Sequence, residues 1–172
     1  MSSGDVKVRL EQSNDVTEIH EVLIDAFPTY AEAILVNRLR DQGQLVQSWV
    51  AEADGKIVGH LALSPVTIDG HMVELLGLAP VAVRELFQKA GIGTELIQTA
   101  IEWGRSNNHL GIVVLGEPGY YGRFGFQRAS DLGIGNEYEV DEPFQAIIFD
   151  EQRFSGCEGI ARYSDVFASL GE

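Results

Sequence analysis

The sequence predicts an α/β domain of the mixed α+β kind, with a central, mostly antiparallel sheet flanked by helices. Helical and strand periodicities both occur, because apolar residues recur every three or four positions in some segments and alternate in others. A two-residue hairpin signal makes the front half of the sheet antiparallel. In the middle of the chain a strand, a helix and a second strand follow one another, which is the order of a crossover unit.

The composition limits both the domain count and the partners. A chain of 172 residues suits one domain, 1–172, with a core over roughly 6–150 and a C-terminal extension, 151–172. The formal net charge of −14 argues against nucleic-acid binding, which depends on Lys and Arg neutralising phosphates. Such a charge either attracts cationic small molecules or serves solubility. With no signal-peptide pattern and no apolar run near roughly 18 residues, we expect a cytoplasmic protein without a membrane partner.

The first elements follow from periodicity and from helix-boundary signals. Alternation over Val6 to Leu10 predicts a strand. Asp15 and Glu18 have the spacing of a capping box before an apolar stripe, so a helix begins there and ends at Pro28. A second helix closes at Gly43.

A hairpin and a longer strand come next. The run "SWVAEADGKIVGHLALS", 48–64, alternates on both sides of Asp54-Gly55, a pair that tolerates positive φ at both turn positions. A further strand begins near Met72 and runs towards Val83, bent or bulged where Gly77 and Pro80 interrupt the ladder.

The remaining elements are a helix, two strands and an undecided tail. Apolar residues from Ile92 to Ile101 fall on one helical face, so this helix packs on a sheet. The segments "GIVVL", 111–115, and "FQAIIFD", 144–150, are typical of buried strands. The tail from Glu151 shows no decisive period.

The segment "QKAGIGT", 88–94, has the features of an anion-binding helix start. The first amides of a helix have no acceptor within it, and glycine lets a phosphate approach the backbone. The alternative is that Gly91 and Gly93 only shape the turn between strand and helix. A dinucleotide fingerprint does not fit, because Leu96 stands where its third glycine belongs, and no GxxxxGK[ST] loop occurs.

Two motifs in order resemble one family. The run "QKAGIG" resembles the Q/R-x-x-G-x-G/A signature of the GNAT superfamily of N-acetyltransferases. The run "YYGRFGF", 120–126, looks like that family's second landmark, an aromatic-Tyr-x-x-x-Gly-Phe segment. The resemblance covers roughly 6–150, is most specific over 78–126, and implies an acyl-coenzyme A acyltransferase fold with a splayed pair of strands.

The resemblance implies acetyl-coenzyme A as co-substrate and assigns backbone groups to it. The diphosphate would be held by Gln88, Lys89, Ala90, Gly91, Ile92, Gly93 and Thr94. The pantetheine arm would pair, as an added strand does, with Val81, Ala82 and Val83. A metal is not implied, since no Cys/His pair has ligand spacing.

The resemblance also assigns catalytic roles. Tyr121 matches the tyrosine that acts as general acid towards the departing thiolate, whereas Tyr120 is expected in the core. Glu74 lies on the element that often carries the general base, although the usual position is nearer Gly77. Glu85 stands where relatives often have proline and places a negative charge near the proposed anion site.

The predicted function is acetyl transfer from acetyl-coenzyme A directly to an amine, which belongs to a small molecule or a protein. One alternative is a non-catalytic module that senses an acyl-coenzyme A, and another is a loop that serves a different phosphorylated ligand. The histidines, which are His20, His60, His71 and His109, show no triad spacing and are expected at the surface or in the hairpin. Aromatic residues such as Trp49 and Phe124 leave a homodimer open.

Overall fold

The computed structural model describes residues 5–168 and confirms a mixed, mostly antiparallel sheet with helices. The strands are β1 (Lys7–Leu10), β2 (Gln47–Ala53), β3 (Lys56–Ile68), β4 (Glu74–Val83), β5 (Gly111–Leu115), β6 (Gln127–Arg128), β7 (Ile134–Asn136), β8 (Phe144–Ile148) and β9 (Gly159–Tyr163). The helices are α1 (Val16–Ala26), α2 (Ala31–Asp41), α3 (Ile92–Ser106), α4 (Pro118–Tyr121), α5 (Glu151–Phe154) and α6 (Asp165–Ala168). Within the described residues no helix has the length and apolarity needed to cross a membrane.

The chain divides into two compact units. Among the described residues, the first unit comprises 5–63, 79–100 and 166–168, and the second comprises 64–78 and 101–165. The strands β3 and β4 and the helix α3 each contribute residues to both units. A single domain over 1–172 stays a prediction, and the last four residues of the predicted extension lie outside the described residues.

The first unit is built on the predicted hairpin. Strands β2 and β3 pair antiparallel up to Ala53↔Lys56, and the turn residues Asp54 and Gly55 have φ of 51° and 75°. Both φ values are positive, as the primed two-residue turn requires. Helices α1 and α2 bury one apolar face each against the strands, in a cluster formed by Ile19, Val22, Leu23, Ala33, Val36, Val50, Ile57 and Ala82.

The start of α1 differs from the predicted capping box. The Asp15 carboxylate lies in a short turn before the helix, where it accepts the Gln12 N–H at 2.7 Å and bonds Arg9 at 2.8 Å. The Arg9 guanidinium holds the pKa of Asp15 below its ordinary value. Glu18 instead accepts the Ile57 N–H at 3.0 Å, so it ties the helix to the hairpin. The predicted capping box does not form, because Arg9 competes for the Asp15 carboxylate that was expected to cap the helix.

In the second unit β4 and β5 run parallel but share a short ladder. Only Leu76↔Ile112 and Gly77↔Val113 are paired, while β5 continues to Leu115. On its other edge β5 pairs antiparallel with β8 over its whole length. The ladder between β4 and β5 is therefore two residue pairs long and ends before either strand does.

The C-terminal tail contains a strand that belongs to the sheet. Strand β9 pairs antiparallel with β3, with Val66 opposite Tyr163, and parallel with β7, with Ile134 opposite Gly159. Only Ala161 and Tyr163 of this strand are buried. Two buried positions are too few to give a clear period in the sequence, so pairing with neighbours decides the structure of this segment.

Candidate functional site

The loop between β4 and α3 starts from a fixed point in the first unit. The Arg84 N–H donates to the Val58 carbonyl at 2.8 Å, and Arg84 Nε donates to the Ile57 carbonyl at 3.1 Å. The side chain of Gln88 folds back, and its Nε2 donates to the Val83 carbonyl at 2.9 Å. These bonds secure the end of β4 and the entry to the glycine segment.

The glycine segment turns sharply and exposes its backbone. Residues 88–91 are all exposed, and Lys89 and Gly91 have left-handed φ values of 64° and 84°. The left-handed region costs a lysine on the order of 1 kcal/mol, and strain of this kind concentrates at functional sites. A Cβ at Gly91 would meet nothing within 4 Å, so its φ, not lack of space, favours glycine there.

Helix α3 begins directly after this turn. Its first helical bond runs from the Glu95 N–H to the Gly91 carbonyl at 3.0 Å, so the Ile92 and Gly93 amides precede the ladder and have no acceptor within the helix. Such amides, with the positive end of the helix dipole, suit an anion. The exposed Lys89 adds a positive charge beside them.

The predicted pantetheine stretch and Glu85 lie just before the turn. Ala82 is 3% exposed and packs into the core of the first unit, while Val81 and Val83 are half-buried. Glu85 is exposed, and its N–H donates to Asp25 Oδ2 at 2.8 Å. The Glu85 amide is thereby occupied by a carboxylate and is not among the amides available to a phosphate.

Tyr121, in the second unit, ends the short helix α4 and is 7% exposed. Its ring packs edge-on against Phe126, with centroids 5.7 Å apart, and against Tyr120 at 5.1 Å. The ring also lies over Gly116, where a Cβ would collide with it. Within the described residues the Tyr121 hydroxyl forms no hydrogen bond, so packing alone holds the ring and leaves the oxygen for a ligand.

Burial, and next Tyr120, raise the pKa of Tyr121 to about 12. The phenol therefore stays protonated at neutral pH and can donate a hydrogen bond. A free thiol has a pKa near 8.5, so complete proton transfer from Tyr121 to a thiolate is uphill by about 3.5 pKa units, or ~5 kcal/mol. A phenol with this pKa could give its proton to a thiolate only if that proton were replaced as it leaves.

Tyr163 occupies the space in front of Gly77, near which the resemblance implied a general base. A Cβ on Gly77 would lie 2.8 Å from Tyr163 Cε2 and 2.9 Å from Val66 Cγ2, closer than real Cβ contacts. Glu74, the sequence-predicted base, is the exposed first residue of β4. Side chains three positions apart in a strand point to opposite faces, so Glu74 does not share the direction of Gly77.

Sequence reasoning missed three residues near this position, which are Tyr163, Glu137 and Tyr138. Glu137 Oε2 accepts the Tyr163 N–H at 2.8 Å, and the rings of Tyr138 and Tyr163 lie 6.0 Å apart. The sequence offered one signal, which was the aromatic Tyr163 in a tail whose structure the periodicity left undecided. Without the strand pairing of β9, nothing places that residue next to β4.

One histidine lies in the hairpin, one of the two expected locations, and is buried there. His60 is fully buried, and its Nε2 lies 2.7 Å from Ser48 Oγ, which donates to Glu11 Oε1 at 2.7 Å. Burial, and next Arg40, lower the pKa of His60 to about 3, so the ring is neutral. Because the Ser48 proton goes to Glu11, the His60 Nε2 is the donor in this pair. Within the described residues no group of three or more His, Cys, Asp or Glu side chains is placed to hold a metal ion.

Comparisons with known proteins agree with the two motifs. The family model described as Acetyltransferase (GNAT) family matches residues 13–126. The uncharacterized N-acetyltransferase YhbS of Escherichia coli (strain K12) is 30% identical over 162 residues, 93% of this chain and 97% of the relative. The uncharacterized N-acetyltransferase YjhQ of the same strain is 35% identical over 142 residues, 80% of this chain and 78% of the relative.

Two solved structures are similar over nearly the whole chain. The crystal structure of YhbS from Escherichia coli in complex with CoA has a TM-score of 0.91 and 29% identity, and the match covers 98% of this chain and 94% of that one. A GNAT family acetyltransferase from Brucella melitensis in complex with acetyl-CoA has a TM-score of 0.80 and 33% identity, covering 95% and 98%. The chain therefore belongs to the GNAT family of acetyltransferases.

Proposed function

We propose that this protein transfers the acetyl group of acetyl-coenzyme A directly to an amine, without a covalent enzyme intermediate. The observation that carries the proposal is the exposed left-handed turn at Lys89 and Gly91, followed at once by the first amides of α3. Similar proteins were crystallised with CoA and with acetyl-CoA, which supports the same co-substrate here.

The co-substrate is held mainly by backbone groups. The diphosphate takes the amides of the turn and helix start, with Lys89 as its counter-charge and Gln88 as the residue that fixes the loop to Val83. The complete proposed set is Gln88, Lys89, Ala90, Gly91, Ile92, Gly93 and Thr94. The pantetheine arm pairs with the backbone of Val81, Ala82 and Val83 in the manner of an added strand.

The chemical step forms a C–N bond and breaks a C–S bond. The neutral amine attacks the thioester carbon, and a backbone N–H at the end of β4 stabilises the oxyanion. As the thiolate leaves, Tyr121 donates a hydrogen bond and then its proton to the sulfur. Because that transfer is uphill for a phenol with a pKa of about 12, it is coupled to the proton that the nitrogen releases, which returns Tyr121 to its neutral form.

Glu74 is the proposed base that takes the proton from the incoming ammonium group. Its exposed position at the start of β4 suits a relay through water better than direct contact with the amine. Replacing Glu74 by Gln is expected to lower kcat/KM most at low pH, where few amines are neutral. An unchanged pH profile of kcat/KM would remove Glu74 from the mechanism.

Two measurements test the proposed function. Calorimetry should show that coenzyme A binds with an affinity that free nucleotides do not match. Thiol release, followed with a chromogenic disulfide reagent across a panel of amines, should show turnover with acetyl-coenzyme A. Binding without turnover of any amine would favour the acyl-coenzyme A sensor, and no binding would overturn both accounts.

A further inference from the structure

The second unit carries a group of acidic and aromatic residues, which we name the Glu137 seat and define as the exposed Glu137 and Tyr138 with the buried Tyr163 behind them. The buried Asn136 shapes the loop: its Nδ2 donates to the Val140 carbonyl, and its Oδ1 accepts the Tyr138 N–H at 3.0 Å. The Glu137 carboxylate is then fixed by the Tyr163 N–H at 2.8 Å. The loop thus presents its carboxylate in one place without an external ligand.

Within the described residues the carboxylate of the Glu137 seat forms no ion pair, although Arg162 interacts with it at longer range. Among residues 5–168, no Lys, Arg or His nitrogen lies within 4.0 Å of it. The nearby Arg162 is held elsewhere, because its Nε donates to both carboxylate oxygens of Asp69 at 2.8 and 2.9 Å. Glu137 is exposed and Tyr138 is 43% exposed, so a ligand can reach both.

The seat lies against Gly77 through Tyr163, within electrostatic range of Tyr121. The Tyr163 ring covers Gly77, as the 2.8 Å approach of a Cβ there shows. Burial first, and then the charges of Tyr138, Glu137 and Tyr121, raise the pKa of Tyr163 above its ordinary value. Tyr163 therefore lies within electrostatic range of both Glu137 and Tyr121, the proposed acid.

A carboxylate flanked by tyrosine rings matches the chemistry of an alkylammonium group. Charge attraction and the faces of aromatic rings both favour a cation. A carboxylate also raises the pKa of a bound ammonium, which opposes formation of the neutral amine that must attack the thioester. The group held at Glu137 is therefore one that does not react.

We infer that the acceptor is a diamine or polyamine, with one cationic nitrogen bound at the Glu137 seat while another nitrogen is acetylated. This inference rests on the proposed acetyl transfer and adds the class of acceptor to it. It gives Glu137 a role in substrate binding and leaves the chemistry to other groups. The accessible ring is that of Tyr138, which contributes through its face and not through its hydroxyl.

Steady-state kinetics with butylamine, 1,4-diaminobutane and spermidine test this inference. The wild-type protein should have a lower KM for the two polycations than for butylamine. Glu137→Gln should raise the KM for the polycations roughly tenfold, leave kcat within about twofold and remove the preference over butylamine. Tyr138→Ala should raise the same KM about two- to fivefold, and Tyr138→Phe should restore it.

Glu139→Gln is the matched control, because Glu139 is an exposed carboxylate two positions along the same loop that lies outside the seat. It should leave each KM unchanged. Two outcomes would overturn the diamine inference alone. One is turnover with the same KM values in Glu137→Gln and Glu139→Gln, and the other is a wild-type preference for butylamine over the polycations. Absence of turnover with every amine, despite coenzyme A binding, would overturn the proposed function and this inference with it.

Discussion

The proposed diphosphate loop and the region around Tyr121 differ in which part of the chain they expose. The loop, 88–94, exposes its first four residues and offers backbone amides whose directions depend on two left-handed φ values. The region around Tyr121 buries its side chains and depends on ring packing, with Tyr121 only 7% exposed. We therefore expect loop function to tolerate changes of side chain but not of backbone conformation, and the Tyr121 region to show the reverse.

The largest expected effect comes from removing the Tyr121 hydroxyl. Tyr121→Phe keeps the ring contacts with Phe126 and Tyr120 and deletes the group that we propose donates to the leaving thiolate. We expect kcat to fall about 100-fold or more with little change in coenzyme A affinity, measured by thiol release and calorimetry.

Tyr120→Phe is the control for this substitution. It removes a hydroxyl from the adjacent residue of the same motif and keeps the ring that stacks under Arg123. It should keep kcat within about twofold of the wild type. Equal loss in the two variants would mean that both hydroxyls act through structure, and no loss in Tyr121→Phe would exclude Tyr121 as the acid.

The next largest effect is structural and concerns Gly77. Gly77→Ala places a Cβ 2.8 Å from Tyr163 and 2.9 Å from Val66, so we expect the free energy of unfolding to fall by about 1–3 kcal/mol. Gly119→Ala, whose Cβ would meet only Glu117 Oε1 at 4.0 Å, should cost much less. Adding Tyr163→Ala should shrink the penalty at Gly77, because the ring that collides is gone. Denaturant titration of the wild type, Gly77→Ala, Tyr163→Ala and the double variant measures this coupling.

Gly77 also shows which contacts the sequence could not predict. Local signals predicted the hairpin at Asp54-Gly55, the helix after Gly91 and the buried strand Gly111–Leu115, because turn chemistry and periodicity act over a few residues. The contact of Gly77 with Tyr163 joins positions far apart in the chain, through a β9 whose two buried residues give no clear period. The family motif predicted the loop and Tyr121 for the same reason, since both are continuous segments, and it could not predict Glu137.

In the loop the expected loss is in affinity. Gly91→Ala forces alanine into a φ of 84° at a cost of about 1 kcal/mol, without a steric clash. If the turn shifts to relieve that strain, the amides lose their alignment, and we expect the Kd for coenzyme A to rise about tenfold. Gly43→Ala has the same conflict, at a φ of 68° with open space, but lies after α2. This variant should be destabilised to a similar extent and should bind coenzyme A normally. Equal Kd values for the two variants would mean that the loop does not bind coenzyme A.

The smallest expected effect is a dependence of kcat on pH. It sharpens the contrast because the region around Tyr121 contains a phenol with a raised pKa, whereas the loop, 88–94, contains no tyrosine. A raised pKa favours the protonated form, so Tyr121, at about 12, keeps its proton where an exposed tyrosine begins to lose it near pH 10. With saturating amine and acetyl-coenzyme A, kcat should therefore stay level between pH 8 and about 10.5, provided that circular dichroism shows a folded protein throughout. A fall in kcat centred near pH 10 would mean that the Tyr121 hydroxyl is exposed to water, so that ring packing does not raise its pKa.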